Sequence, residues 1–277
     1  MLRARIITAA VLLLLITPVL FWTSSAWVDA GMLVICALGA REWSKLAGLS
    51  HQAACWCGLL CAGLIAALWW IVEPSTIVYI GLISLIFWLW VALRWLPLGV
   101  PGFFSRARRF MVILGLCILL AVWEGAHAAM SLGPWFFISV MSVVWISDIA
   151  AYFSGRAFGK HKLAPAISPG KTWEGVIGAW LCTALLAVYL AQADFAQHVP
   201  HFYSMLFQRA GWWGGLAVIT VLVALGIVGD LFESQLKRRA GVKDSGRLLP
   251  GHGGVLDRID ALLPTLPAAM LFEYLTR

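Results

Sequence analysis

The sequence predicts an all-α, polytopic integral membrane protein with about nine transmembrane helices and a cytoplasmic N-terminus. Three observations predict this class. Apolar residues make up 62% of the 277-residue chain, charged residues only 12%, and the mean hydropathy is +0.89. The apolar runs are long, as a hydrocarbon core of roughly 30 Å requires, and they lack the alternation of a β-barrel strand. Because backbone groups in lipid must be hydrogen-bonded internally, helices are the expected state.

Nine apolar runs, separated by charged residues or by Gly and Pro, are the predicted spans. The first begins like a secretory signal peptide, but its apolar run is long for one, so we interpret it as a transmembrane helix. We treat 1–277 as a single membrane-embedded domain, with scaffold and lipid-facing helices in 1–130 and catalytic helices and loops in 131–277. The predicted spans are 6–22, 27–40, 53–72, 77–97, 110–130, 134–153, 173–192, 212–232 and 260–275.

The positions of the basic residues indicate the orientation. With the N-terminus in the cytoplasm, nine spans place all Lys and Arg on the cytoplasmic side except Arg209 and Arg277. This distribution follows the positive-inside rule and supports both the span count and the orientation. The net charge of +7 is therefore a topology signal and a source of attraction to anionic headgroups. Nucleic acid is not an expected partner.

Two cytoplasmic segments carry more polar residues than topology requires. The first, 155–175, contains the Gly-Lys-Thr of a phosphate-binding P-loop. That motif needs a glycine where this chain has Pro165, and a preceding β-strand, which we do not predict. What remains is a phosphate site at the start of a helix that begins at Trp173. Its candidate residues are Ser168, Lys171, Thr172 and Glu174.

The second polar segment, 229–264, holds two pairs of acids. Asp230 and Glu233 lie three residues apart at the end of the eighth predicted span, and Asp257 and Asp260 lie three apart at the start of the ninth. On a helix this spacing places both carboxylates of a pair on one face. Two helix ends would then present facing acidic pairs at the membrane boundary.

A compensating cation is expected for Asp230, because the macrodipole disfavours an acid at a helix C-terminus. Mg²⁺ held by carboxylates is one candidate. The alternative is an ion pair with Lys237, Arg238 or Arg258. Four acids beside six bases favour a functional site, because ionisable groups in membrane segments usually serve function. The bases exceed what the carboxylates neutralise once a metal binds, so phosphate is the expected ligand.

Two further residues are candidates for the same polar centre. His252 lies among Gly251, Gly253 and Gly254, which allow close approach of backbone amides to phosphate oxygens, and its ring could donate to a phosphate. Asp148 lies near the cytoplasmic end of the sixth predicted span, where an acid is costly unless it is partnered.

Residues 234–260 read S-x-L-K-R-x₄-K-D-x₅-P-x-H-G-G-x-x-D-R-x-D. This run resembles, without departure, the signature of the phosphatidate cytidylyltransferase (CDP-diacylglycerol synthase) family, and 155–175 resembles the family's second polar stretch. The resemblance implies an integral membrane enzyme that joins CTP to phosphatidic acid, releasing pyrophosphate and CDP-diacylglycerol. It also implies Mg²⁺, a second monovalent ion such as K⁺, and a homodimer in a bacterial-type inner membrane.

The resemblance and the residues together give the expected roles. The metal ligands are Asp230 and Asp257. The remaining catalytic residues are Asp148, Lys237 and Asp260, the two acids supporting the metal or a second ion. The residues expected to bind CTP or phosphatidic acid are Ser168, Lys171, Thr172, Glu174, Ser234, Arg238, Lys243, Asp244, His252 and Arg258.

Two other functions use similar residues. A CTP-dependent lipid kinase needs the same metal and nucleotide but would transfer the γ-phosphoryl group. An ion-coupled transporter would carry acids and broken helices near the membrane midplane, whereas here the charged residues gather at one predicted face.

Overall fold

Helices dominate the structure, a computed structural model that describes residues 17–22, 24–71, 76–100, 107–193, 199–248 and 253–277. One short hairpin of two strands interrupts them. The third helix continues as a π-helical turn, Val91–Trp95, and a 3₁₀ turn, Leu96–Leu98. In chain order the elements are α1 Ser25–Leu46, α2 His51–Leu68, α3 Thr76–Trp90, α4 Arg108–Ser131, α5 Pro134–Phe158, β1 Lys162–Ala164, β2 Ser168–Thr172, α6 Trp173–Gln192, α7 Phe202–Arg239, α8 Leu256–Ile259 and α9 Leu262–Leu275.

Within the described ranges, six helices are long and apolar enough to cross a membrane, which confirms the predicted all-α membrane class. The first predicted span lies mostly outside the described residues, although 17–22 is helical. Helices α1 and α9 coincide with the second and ninth predicted runs. Helix α9 has 14 residues, a length of about 21 Å. The six are His51–Leu68, Thr76–Leu98, Arg108–Ser131, Pro134–Phe158, Trp173–Gln192 and Phe202–Arg239.

The hairpin corrects one expectation, that no strand precedes Lys171. Strands β1 and β2 pair antiparallel, with Lys162 opposite Thr172 and Ala164 opposite Ser168. The hairpin lies between α5 and α6. Its backbone N–H and C=O groups have no helical partners, so the two strands hydrogen-bond to each other instead. The exclusion of a P-loop still rests on the proline at position 165. The predicted helix start is confirmed: Thr172 caps α6, its Oγ1 accepting the N–H of Gly175 at 3.2 Å.

The buried helix α9 joins the two halves of the protein. All residues from 261 to 271 are buried, and the helix packs against α3, α4 and α7. On one side α1 packs against α2 and α4, and on the other α6 packs against α5 and α7. Because α9 follows α8 directly, this buried helix begins just after Asp260, at the end of the second polar segment.

Helix α7 is longer than predicted. It bends at Gly211, whose φ is 69°, and then runs to Arg239, seven residues beyond the predicted end of the eighth span. Asp230 and Glu233 therefore lie inside the helix. The expectation that the helix C-terminus destabilises Asp230 was wrong, because the macrodipole acts mainly on the last turn. A basic side chain from the hairpin, described below, is its actual counter-charge.

Candidate functional site

Lys237 is shared by two carboxylates at the end of α7. Its Nζ lies in an ion pair with Glu233, one turn earlier on the same helix, and donates to Asp257 Oδ1 at 2.6 Å. The side chains of Glu233, Lys237 and Asp257 are 0%, 13% and 7% exposed. Charges so well shielded from water need partners. Because Lys237 is on α7 and Asp257 is on α8, their ion pair holds the two helices together.

The other oxygen of Asp257 organises the loop before α8. Asp257 Oδ2 accepts the N–H of Gly254 at 2.7 Å, and both the N–H and the Oγ–H of Ser245 at 2.9 Å. Burial raises the pKa of this carboxyl, but hydrogen bonds from Lys237, Gly254 and Ser245 outweigh burial and leave the pKa below its usual value. A side chain at Gly253, where φ is +82°, would press on Oδ2. Glycine at this position thus allows the loop to close on the carboxylate.

Glu42 holds the same loop from the N-terminal half of the chain. This residue of α1 is 3% exposed. Its Oε1 accepts the N–H of Val255 at 3.1 Å, and its Oε2 accepts the N–H of Leu256 at 2.8 Å. Ser245 Oγ lies 2.9 Å from Oε2 of Glu42 as well as from Asp257, and its single hydrogen serves one carboxylate at a time. The start of α8 is therefore anchored by two acids from opposite ends of the sequence.

Lys171 of the hairpin neutralises Asp230. Its Nζ lies 2.5 Å from Asp230 Oδ2, and the two side chains are 23% and 30% exposed. Ser234 Oγ donates to Asp230 Oδ1 at 3.3 Å. Arg238 Nε donates to the carbonyl of Ile167 at 3.4 Å, which joins α7 to the hairpin turn a second time. The two polar segments singled out in the sequence therefore meet at α7.

Asp148 and Asp260 complete a group of acids around Asp230. Asp230 and Asp148 lie close enough to Asp260 to repel its charge. Gly229 permits this approach, since any side chain there would collide with the carbonyl of Asp260 and the ring of Pro264. A cavity of about 450 Å³ opens beside the group. Its lining includes Asp148, Tyr152, Arg156, Ser168, Lys171 and Asp230.

The remaining predicted site residues lie around this centre. Glu174 accepts the backbone N–H of His161 at 3.2 Å and pairs with its ring at 2.7 Å, so it secures the start of the hairpin. Thr172 is buried as the cap of α6. Lys243 and Asp244 are exposed in the loop before α8, and Arg258 is exposed within α8. His252 lies outside the described residues.

The donors suit a hard cation without forming a complete metal site. No group of three or more His, Cys, Asp or Glu side chains able to hold a metal occurs in the described ranges. Mg²⁺ commonly uses only one or two carboxylates and takes its other ligands from water and substrate phosphates. Asp230, with Asp148 and Asp260 beside it, offers oxygen ligands and a local excess of negative charge that a cation would relieve.

Comparisons with known proteins give the family. The model of the cytidylyltransferase family matches residues 3–276. The chain belongs to this family. A phosphatidate cytidylyltransferase of Pseudomonas aeruginosa is 40% identical over 98% of this chain and 97% of the relative. A phosphatidate cytidylyltransferase of Haemophilus influenzae is 32% identical over 99% of each chain. One of Staphylococcus haemolyticus is 39% identical over 59% of this chain and 60% of the relative. The family resemblance stated from residues 234–260 is confirmed.

Sequence reasoning missed two residues that hold the site together, Ser245 and Glu42. Ser245 lies inside the signature run but was treated as a spacer. Glu42 lies between Arg41 and Lys45, which were used only as indicators of topology. An acid at the C-terminal end of an apolar run was the available signal, but its partners lie more than 200 residues away in sequence and could not be read from the sequence.

Replacing Glu42 by Gln should loosen the loop before α8. Glutamine keeps the size of the side chain but loses the charge and one acceptor oxygen, so at least one of the N–H groups of Val255 and Leu256 loses its partner. We expect hydrogen exchange at these two amides to accelerate by at least about tenfold, because a hydrogen bond to a charged group contributes roughly 1.5–3 kcal/mol. Asp244→Asn, an exposed change in the same loop, should leave exchange there unaltered. Unchanged protection in Glu42→Gln would contradict the assigned anchor.

Proposed function

We propose that this chain is a phosphatidate cytidylyltransferase: it transfers CMP from CTP to phosphatidic acid and releases pyrophosphate. The observation that carries the proposal is the similarity, over nearly the whole chain, to two relatives named phosphatidate cytidylyltransferase. The site supports it, because cationic and acidic side chains from both polar segments meet at one end of the helices, where a lipid phosphate and a water-soluble nucleotide can approach together.

The reaction needs two anions to be brought together. The phosphate monoester of the lipid has a second pKa of roughly 6, by analogy with phosphorylated side chains, so it is largely dianionic at neutral pH. One of its oxygens attacks the α-phosphorus of CTP. The bond from that phosphorus to the bridging oxygen of the β-phosphate breaks, and pyrophosphate leaves with the electron pair. No strong general base is required, so positioning and charge neutralisation supply the rate acceleration.

A lysine that already bridges the two polar segments fits this task. Lys171 pairs with Asp230 at 2.5 Å, and in our proposal phosphate oxygens take over part of its charge when substrate enters the neighbouring cavity. Arg156 and Ser168 line the same cavity and would donate to phosphate oxygens. Lys237 is held by two buried carboxylates. We therefore assign it first to keeping Asp257 in position.

Mg²⁺ remains an expectation, and Asp230 and Asp257 are its proposed ligands. Asp148 and Asp260 would support it or hold a monovalent ion such as K⁺. When bound, Mg²⁺ would neutralise phosphate oxygens and polarise the phosphorus under attack. Lys171, which now pairs with Asp230, would then be released toward phosphate, whereas Lys237 would keep its ion pair with Glu233. Asp230 lies on α7 and Asp257 on α8, and the ion pair between Lys237 and Asp257 holds these two helices together. This contact supports the use of both aspartates as ligands of one Mg²⁺.

We also propose nine spans, a cytoplasmic N-terminus and an active site facing the cytoplasm of a bacterial inner membrane. Six described helices are suited to span. The polar network joins the C-terminal ends of α1 and α7 to the hairpin, and the proposed orientation puts all three on the cytoplasmic side. A homodimer is expected from the family resemblance alone, and cross-linking in native membranes would test it.

The reaction itself is tested with purified protein, phosphatidic acid, Mg²⁺ and CTP labelled at either the α- or the γ-phosphorus. We expect the α-label to enter the lipid as CDP-diacylglycerol, and the γ-label to leave with pyrophosphate. Label from the γ-position in the lipid would instead establish a lipid kinase. Absence of lipid product with both labels, combined with cation-driven uptake into vesicles, would favour the transporter alternative.

Asp230→Asn and Asp257→Asn should each reduce turnover by at least roughly 100-fold, the scale for losing a preorganised charge in an active site. Because either change could also act through folding, the concentration of Mg²⁺ that gives half-maximal activity is measured as well, and we expect it to rise. Arg109→Gln, a change of one charge at the start of α4, is the matched control and should keep wild-type values. Near-wild-type turnover in both aspartate variants would refute the metal assignment.

The proposed topology predicts opposite locations for the two ends of the chain. With nine spans and a cytoplasmic N-terminus, the C-terminal Arg277 is outside the cytoplasm. A C-terminal alkaline phosphatase fusion should therefore be active, and a C-terminal green fluorescent protein fusion should be dark. The reverse pattern would exclude either the span count or the orientation.

A further inference from the structure

A second cavity, of about 700 Å³, lies on the other side of the loop that precedes α8. One wall is the last two turns of α1, and the other is the exposed part of the loop, residues 242–248. It is separate from the cavity beside Asp230, because no described residue lines both. The charged residues that line it are Arg41, Glu42, Lys45, Lys243, Asp244 and Arg247.

The described residues leave the positive charge in this cavity without neutralisation. Four cations face it against two acids, and both oxygens of Glu42 already accept backbone hydrogen bonds, from Val255 and Leu256. In the part of the chain that the structure describes, none of the four cations forms an ion pair with a carboxylate; they are Arg41, Lys45, Lys243 and Arg247. Like charges gathered on one concave surface repel each other unless an anion binds between them.

Arg41 gives a second observation that points to a ligand. Its Nε is buried and has no hydrogen-bond partner among the described residues, whereas its Nη2 lies 3.2 Å from His51 Nε2. A buried donor without a partner destabilises the fold. The guanidinium can bind a phosphate with two parallel hydrogen bonds, and an anion in the cavity would supply the missing acceptor.

Topology and helix electrostatics do not explain this arrangement by themselves. A cation in the last turn of a helix is favoured by the macrodipole, and this accounts for Lys45 on α1. It does not account for Lys243 and Arg247, which come from a loop roughly 200 residues later. The positive-inside rule places basic residues on one face of the membrane but does not bring four of them to one cavity.

We propose that this cavity binds a phosphate group of one of the two substrates, and that Arg41 and Lys45 of α1 are binding residues for it. The proposal rests on the proposed function and extends it into the N-terminal half of the chain. The volume lies within the range of small-molecule sites. The triphosphate of CTP and the headgroup of phosphatidic acid share the phosphate chemistry that the cavity fits.

The cavity also shares a wall with the site. Ser245 Oγ lies 2.9 Å from Glu42, which lines the cavity, and 2.9 Å from Asp257, which faces Lys237. A phosphate bound between Arg41 and Arg247 would therefore lie one side chain away from the Asp257 cluster. The two substrates must meet for the reaction, and a phosphate bound in this cavity would lie close enough to the Asp257 cluster for that.

The test compares steady-state kinetics of the wild-type enzyme, Arg41→Gln, Lys45→Gln and the double variant, with CTP and phosphatidic acid varied separately in detergent micelles. We expect the KM of one substrate to rise roughly tenfold in the double variant, with kcat within about twofold, because lost binding contacts weaken affinity. A rise confined to CTP identifies the nucleotide as the ligand, and a rise confined to phosphatidic acid identifies the lipid. Arg109→Gln removes one charge away from the cavity and should change neither constant.

The double variant with wild-type KM values for both substrates would overturn the proposal. Thermal unfolding of each variant detects misfolding, and the exposed Lys45→Gln carries the test if Arg41→Gln does not fold. Failure of the proposed function would appear differently, as absence of CDP-diacylglycerol with the wild-type enzyme. In that event calorimetric binding of inorganic pyrophosphate, weakened at least about fivefold in the double variant, would still support the cavity as a phosphate site, and equal binding would overturn it.

Discussion

The charge of Lys237 is shared between Glu233 on its own helix and Asp257 on the short helix that follows the polar loop. All three side chains are largely removed from water, where one unpaired charge would be very costly. Removing one member of a buried pair typically destabilises a protein by about 3–5 kcal/mol, because the other charge is left without a partner. The arrangement is therefore stable only as a unit. The ion pair between Lys237 and Asp257 fixes the position of α8, the last part of the signature run, relative to α7.

The rest of the polar centre follows from that fixed point. With one oxygen of Asp257 occupied by Lys237, the other is available to close the loop through Ser245 and Gly254. Glu42 closes the same loop from α1, so the N-terminal helices help to position the site. Helix α9 begins immediately afterwards and is buried along most of its length. Site and buried helix are thus built on consecutive residues.

Hydropathy was sufficient to predict the helices, because lipid leaves a long apolar segment few other conformations. It could not predict the end of α7. Residues 233–239 are mostly polar and resemble a loop, yet they continue as helix because Lys237 has a partner on α8 and Arg238 has one on the hairpin turn. The short hairpin was missed for a related reason: its strands are three and five residues long and have no apolar alternation to mark them.

The spacing of acids predicted a polar centre at α7 and α8, but not which residue pairs with which. Asp230 was expected to face a metal or a base nearby in sequence, and in the structure it meets Lys171, 59 positions earlier. Glu42 and Ser245 had no signal strong enough to rank them, since their importance comes only from contacts between distant segments. The motif therefore identified the family and most of the centre, whereas the anchoring contacts required the fold.

The central claim is that carboxylates from α7 and α8 serve one ionic centre where CTP meets lipid phosphate. An experimental structure with Mg²⁺ and a CTP analogue carrying a methylene bridge between its α- and β-phosphorus atoms tests it most directly. The claim predicts Mg²⁺ at about 2.0–2.1 Å from oxygens of Asp230 and Asp257 and of the phosphates, with Lys171 moved toward the nucleotide. Mg²⁺ bound elsewhere, with both aspartates still paired to their lysines, would contradict it.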